Sequence, residues 1–269
     1  MRSIRTRSID SKQGLLGREA GRRRRWPRLR WAAAAVIGIT AAAATTFILL
    51  GDSGGPTAPR ALTSDEVSRL AITRFLNYQA GGRAVTITVP NATGGLVITG
   101  SIDYRTHTGY GVVHGTGRDT SSDGLIQWTA TTVLVHPMTD PPAAAPASPP
   151  ASGWYSRPLQ RSGMSLDTSL AIALSLGSDR PDNAALLPQN GAAWVGQDQV
   201  HGHQTDIMNG PDAGTKASTS PTVRYWIGSD GTMHRVQASI ASAPQPVVFD
   251  FDTRKYVPVQ PVPGVTPAP

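Results

Sequence analysis

His201 and His203 stand two residues apart. On one strand that spacing points both rings the same way, and Asp206 could then supply a third metal ligand. No second paired cluster accompanies them, and two histidines flanking Gly202 fit an ordinary surface strand or turn, so no metal is expected. The carboxylates with most promise are Asp103, Asp179, Asp182, Asp250 and Asp252. Acid–base chemistry needs two of them held together, and nothing in their spacing does that. Asp179 and Arg180, close to Asp182, read as local caps and pairs. The 28 glycines form neither GxGxxG nor GxxxxGK[ST], so no nucleotide cradle is indicated. The residues therefore predict no cofactor, no catalytic set and no enzyme.

Gly51 to Pro56 read GDSGGP, the surroundings of the nucleophilic serine in chymotrypsin-like proteases. That serine needs a histidine and an aspartate from earlier in the chain, and the first histidine is His107. A spacer of small residues explains the match better.

Positioning begins with Trp31 to Leu50, twenty uncharged residues that as a helix would just cross a bilayer. Residues 1–30 before it hold 11 Lys and Arg against two acids; the remainder holds 14 against 16. The high isoelectric point therefore belongs to the tail, which argues against a nucleic-acid footprint on the folded part. Arg22 to Arg25, Arg28 and Arg30 keep that end cytoplasmic by the positive-inside rule and place the C-terminal bulk outside. A cleaved signal peptide is the alternative. Phe47 to Leu50 continue the apolar run past the A-x-A site at Ala41 to Ala44, which favours a retained single-pass anchor in the cytoplasmic membrane. With no cysteine anywhere, neither a disulfide nor a lipid-modified thiol can hold the exported part. The expected organisation is a basic tail (1–30), a transmembrane helix (31–50), a linker (51–60), one folded domain (61–257) and a disordered proline-rich end (258–269).

Thr63-Ser-Asp-Glu66 is a capping box opening an amphipathic helix that Gly81 and Gly82 end. Val67, Leu70, Ala71, Phe75 and Tyr78 share its apolar face. Period-two segments follow at 85–89, 96–104, 108–116 and 125–135, an antiparallel meander with one wet face. Residues 137–152, with six prolines, are an insertion without helix or strand. Ser165 is placed to cap an apolar helix over 166–176, and 182–187 suggest another helical turn. Strands are expected at 193–195, 200–208, 223–228, 232–240 and 247–251, with Asp230-Gly231 turning between two of them.

That order of elements, with the hairpin Arg224-Tyr-Trp-Ile-Gly-Ser-Asp-Gly-Thr-Met-His-Arg235, resembles the LolA-like and LppX-like family of exported carriers over Leu62 to Phe251. The resemblance implies an α+β fold: a curved antiparallel half-barrel closed by helices, with a lipid or lipidated protein held between them. The chain departs from that pattern in lacking a lipobox cysteine and in inserting residues 137–152. An anchored domain cannot shuttle, so the implied role is capture, presentation or sensing of an apolar ligand outside the membrane. Phe75, Trp128, Leu170, Leu174 and Trp226 are the residues expected to line the cavity. The other reading is a protein-interaction or envelope-sensing module whose interior is only core.

Overall fold

A computed structural model of the chain describes residues 58–91, 94–117, 120–160, 164–211, 223–252, 256 and 258–263. The expected basic tail and transmembrane helix lie outside these residues, as does most of the linker. Among the described residues no helix is long and apolar enough to cross a membrane.

The helix α1 (Ser64–Gln79) forms because its start is satisfied twice over. The Glu66 amide donates to Thr63 Oγ1, and the Thr63 amide donates to the Glu66 carboxylate at 2.8 Å. Gly81, at φ 84°, then turns the chain into the first long strand, a conformation that penalises any other residue. The Glu66 carboxylate also takes two bonds from the Arg60 guanidinium, at 2.7 and 2.8 Å, in β1 (Arg60–Ala61). That pair, followed by the Thr63 amide, holds Glu66 at about 2 instead of its ordinary 4.5, although burial works against the charge. A depressed carboxylate contributes stability that is complete above about 4.5 and is lost as pH falls towards 2. Acid unfolding of Glu66→Gln, followed by far-UV circular dichroism, should therefore show a shallower loss of stability between those limits than the parent.

Among the described residues twelve strands make one open antiparallel sheet, which fits a curved sheet better than a closed barrel. One half is the meander β2 (Gly82–Asn91), β3 (Gly94–Asp103), β4 (Thr108–Gly115), β5 (Gly124–Trp128), β6 (Thr132–Pro137) and β7 (Tyr155–Pro158). The other wing is β8 (Ala193–Val200), β9 (His203–Asn209), β10 (Val223–Ile227), β11 (Met233–Ala238) and β12 (Val247–Asp252). The last strand returns to the first long one, pairing Phe249 with Ile87, so the edges are β1 and β7.

Side-chain alternation sorts the two faces. Val236, Phe249, Ile87, Ile98 and Val113 stand in one row across β11, β12, β2, β3 and β4 and belong to the main core. The helices α1 and α2 (Ser165–Ser175) pack on that face, and α3 (Leu186–Gln189) packs against α1.

Several expectations need correcting. Residues 125–135 are two strands, because Thr129 Oγ1 accepts from the amides of Thr131 and Thr132 and turns the chain without glycine or proline. Ser165 does not cap α2: Met164 occupies the cap, and the Ser165 hydroxyl meets that of Ser242 instead. The helix expected over 182–187 starts later and includes Pro188. The proline-rich segment is irregular as expected, yet it is part of the packing. Met138, Ala145 and Trp154 cover Tyr110, Val112 and Leu125 on the face away from the helices. Residues 258–263, in the segment expected to be disordered, join this cover: Val262 is buried, its amide donates to Gln127 Oε1, and Gln127 Nε2 donates to the Gln260 carbonyl. The face expected to be wet is therefore dry over β4 to β6.

Candidate functional site

The five residues expected to line one cavity separate in space. Trp128, Leu170 and Leu174 do meet, but as packed core: the Trp128 indole is fully buried and donates to the Leu170 carbonyl at 3.2 Å. Phe75 is half-buried on α1 and is not among the residues of that cluster. Trp226 points to the opposite face, since its neighbours Tyr225 and Ile227 pack towards the helices, and its indole donates to Asp198 at 3.0 Å. Between helices and sheet, Tyr104, Ile87, Ile98, Ile102, Phe249 and Phe251 are buried to 1% exposure or less. Of the five expected residues only Leu174 reaches a described concavity, a hollow of about 290 Å³ shared with His107, Ala130 and Ala171.

The large concavities lie at the end of β9, β10 and β11 and are mixed in polarity. One, of about 700 Å³, lies beside the C-terminal end of α1 and is lined by Arg83, His203, Gln204, Ser229, Asp230 and His234 among others. The other, of about 840 Å³, runs between the histidine turn and Ala144 of the proline-rich cover, past Thr86, Thr99, Asp250 and Asp252. His203 and His234 border both.

Local sequence explains how those rings meet. The chain turns at His201-Gly202, both with positive φ, so His201 sits in the turn and His203 opens the next strand. The two are not on one strand, so the geometry that a metal pair would need is not formed. Asp206, the candidate third ligand in that arrangement, is committed elsewhere. It accepts from Arg69 at 2.7 Å and from Trp194 and Gln197, each at 3.1 Å. Burial opposes its charge, but those bonds together hold it below the usual carboxylate range. No group of three His, Cys, Asp or Glu among the described residues is arranged to hold a metal ion.

β10 ends at Ile227, opposite Asp206, so His203 reaches past it to stack on His234 with centroids 4.6 Å apart and planes at 27°. A register shift between Trp226 and Ile227 reorders β11 at Met233 and His234. Burial pushes His234 below its ordinary 6.5, and His203, Arg83 and His201 add to that while Asp230 opposes it. The long-range stack was not legible from sequence, where the only signal was the Asp-Gly hairpin that presents His234.

The other carboxylates singled out from sequence have local partners. Asp103 closes the β3–β4 turn by accepting from the amides of Arg105 and Thr106 and from the Tyr256 hydroxyl. Asp182 pairs with Arg74, Asp250 with Arg235, and Asp179 with its neighbour Arg180.

No protein-family model matches the chain, and no curated protein matches its sequence. Among solved structures it is similar to a DUF1329 family protein from Desulfovibrio piger, with 10% identity over 64% of this chain and 83% of that one, at a TM-score of 0.27. It is also similar to a domain assigned to outer membrane lipoprotein sorting from Vibrio parahaemolyticus, with 10% identity over 71% and 93% of the two chains and a TM-score of 0.24. Likeness at such TM-scores carries no weight for function, which has to be argued from the chain's own geometry.

Proposed function

We propose that the chain is a non-catalytic binding module of the cell envelope, anchored by residues 31–50 with its sheet domain outside the cytoplasmic membrane. It takes its ligand or partner on the open end of β9 to β11, as an interaction or sensing module would, and not in a sealed lipid cavity. The observation that carries this reading is the filled interior: Trp128, Leu170 and Leu174, expected to surround a ligand, surround one another. A buried lipid chain needs apolar walls facing empty space, whereas the large concavities are open and lined by histidine, arginine, aspartate and hydroxyl groups.

Capture of a lipid or lipidated protein is the second reading, favoured by the hollow at Leu174, whose walls include Ala130 and Ala171. The two separate on one experiment. The full chain, purified in a mild non-ionic detergent, is extracted with organic solvent and its lipids are quantified by mass spectrometry, beside Leu174→Trp, which fills the hollow. Equal, sub-stoichiometric lipid in both proteins is the expected outcome. One lipid per chain in the parent, lost on Leu174→Trp, would replace the open-surface reading with the carrier one.

A further inference from the structure

Arg83 is a guanidinium drawn almost out of water, 8% exposed, and among the described residues no carboxylate forms an ion pair with it. One terminal nitrogen donates to Asn77 Oδ1 at 2.6 Å and the other to the Met233 carbonyl at 3.0 Å. The Phe251 ring lies 5.1 Å from Cζ, and Nε is buried without a partner. A guanidinium carries five N–H donors in a rigid fork, so the two bonds tie α1 to β11 and still leave donors unused. Asp252 and Asp230 attract the guanidinium without touching it, and a buried cation with no anion in contact is costly.

The concavity that Arg83 lines is rich in further donors. His203 and His234 present their ring edges together, and Gln204 and Ser229 add an amide and a hydroxyl. Its one lining carboxylate, Asp230, is engaged in its own turn, accepting from the Thr232 amide at 2.9 Å and the Thr232 hydroxyl at 2.7 Å. His201 flanks the rings from the β8–β9 turn, and Asp250 and Asp252 face them from β12 in the adjoining concavity. The end of α1 at Ala80 contributes the weak negative pole of its dipole.

We propose that this concavity is a binding site for the oxyanion of a phosphate group, with Arg83 at its base and His203 and His234 as donors from the facing wall. The inference rests on reading the open end of the sheet as the ligand surface. Phosphate fits better than carboxylate because donors converge from three strands, β2, β9 and β11, and a tetrahedral group offers an oxygen to each. Burial holds His234 below the ordinary histidine range, so it gains a proton, and with it a donor and a charge, only as pH falls, against the opposing pull of Asp230, Asp250 and Asp252. The phosphate can come free in solution or on a lipid headgroup.

The test uses the full chain in non-ionic detergent and follows histidine-ring NMR resonances while inorganic phosphate, and separately monomeric dihexanoyl phosphatidate, is added. The expected result is saturable movement of the His203 and His234 signals with a dissociation constant of about 1 mM or tighter. Replacing both histidines by alanine should weaken binding, read by calorimetry, about tenfold or more. Arg83→Lys, which keeps the charge and loses the fork, should weaken it as well. His114→Ala, elsewhere on the sheet, should leave it unchanged. Tighter binding of the phosphatidate identifies a lipid headgroup as the source, and equal affinity identifies free phosphate. Failure of both probes to move those signals, or affinity unchanged in the double histidine variant and in Arg83→Lys, overturns the site. A null result here leaves the open-surface reading standing, whereas a stoichiometric lipid lost on Leu174→Trp ends that reading whatever phosphate does.

Discussion

Trp128→Ala is expected to destabilise the domain by about 3–5 kcal/mol, the cost of truncating a large buried aromatic. The indole is fully buried, and its one polar atom is satisfied by the Leu170 carbonyl, so truncation opens space beneath α2 and strands a carbonyl. Urea unfolding monitored by circular dichroism should show a lower midpoint with little change in slope. The same ring explains Gly109, its cross-strand partner, where an added Cβ would come within 2.1 Å of Cζ2. Gly109→Ala should therefore harm the parent more than it harms Trp128→Leu, a coupling that a double-mutant cycle reads directly. Additive effects would mean that the ring does not need the bare backbone beneath it. A gain of lipid binding on Trp128→Ala would show that the interior can serve as a cavity when emptied.

The features visible in the chain's own order are those encoded over a few residues. The capping box at Thr63 needs four residues, and the Asp230-Gly231 turn needs two; both stand where local chemistry puts them. Period-two alternation likewise marks β2, β3 and β4. What escaped is set by partners distant in sequence. The Thr129 turn carries no glycine or proline, so a continuous apolar pattern hid two strands. The proline-rich insertion reads as bare loop until Tyr110, Val112 and Leu125 are seen to need a cover. Likewise, the aromatic and aliphatic residues that could line a cavity have the same composition as a core. Only packing tells them apart, and here Trp128, Leu170 and Leu174 close on one another while Trp226 turns away. Arg83 gave no sign in sequence, because a lone arginine in a strand says nothing about whether a carboxylate waits across the sheet.

The second large effect is expected from Arg157→Ala. Asp167 is fully buried in the first turn of α2, and the Arg157 guanidinium grips both its oxygens at 2.6 Å while the Gln160 amide donates at 2.8 Å. The position favours an acid, since the helix N-terminus adds positive potential, but burial leaves the charge dependent on its partner. Removing Arg157 strands that carboxylate and should cost about 3–5 kcal/mol in chemical unfolding. Asp167→Ala should cost less, because the Arg157 side chain is 34% exposed and can turn to water. The double variant Arg157→Met with Asp167→Leu should cost less than Arg157→Ala alone, since no charge is then left buried. Equal costs for the two single variants would mean that Asp167 finds water when its partner goes. The pair also joins the edge strand β7 to the start of α2, the helix that brings Leu170 onto Trp128. Its loss should therefore loosen the packed interior from that side, and near-UV signals from the buried tryptophan should weaken at lower denaturant than the far-UV signal of the sheet.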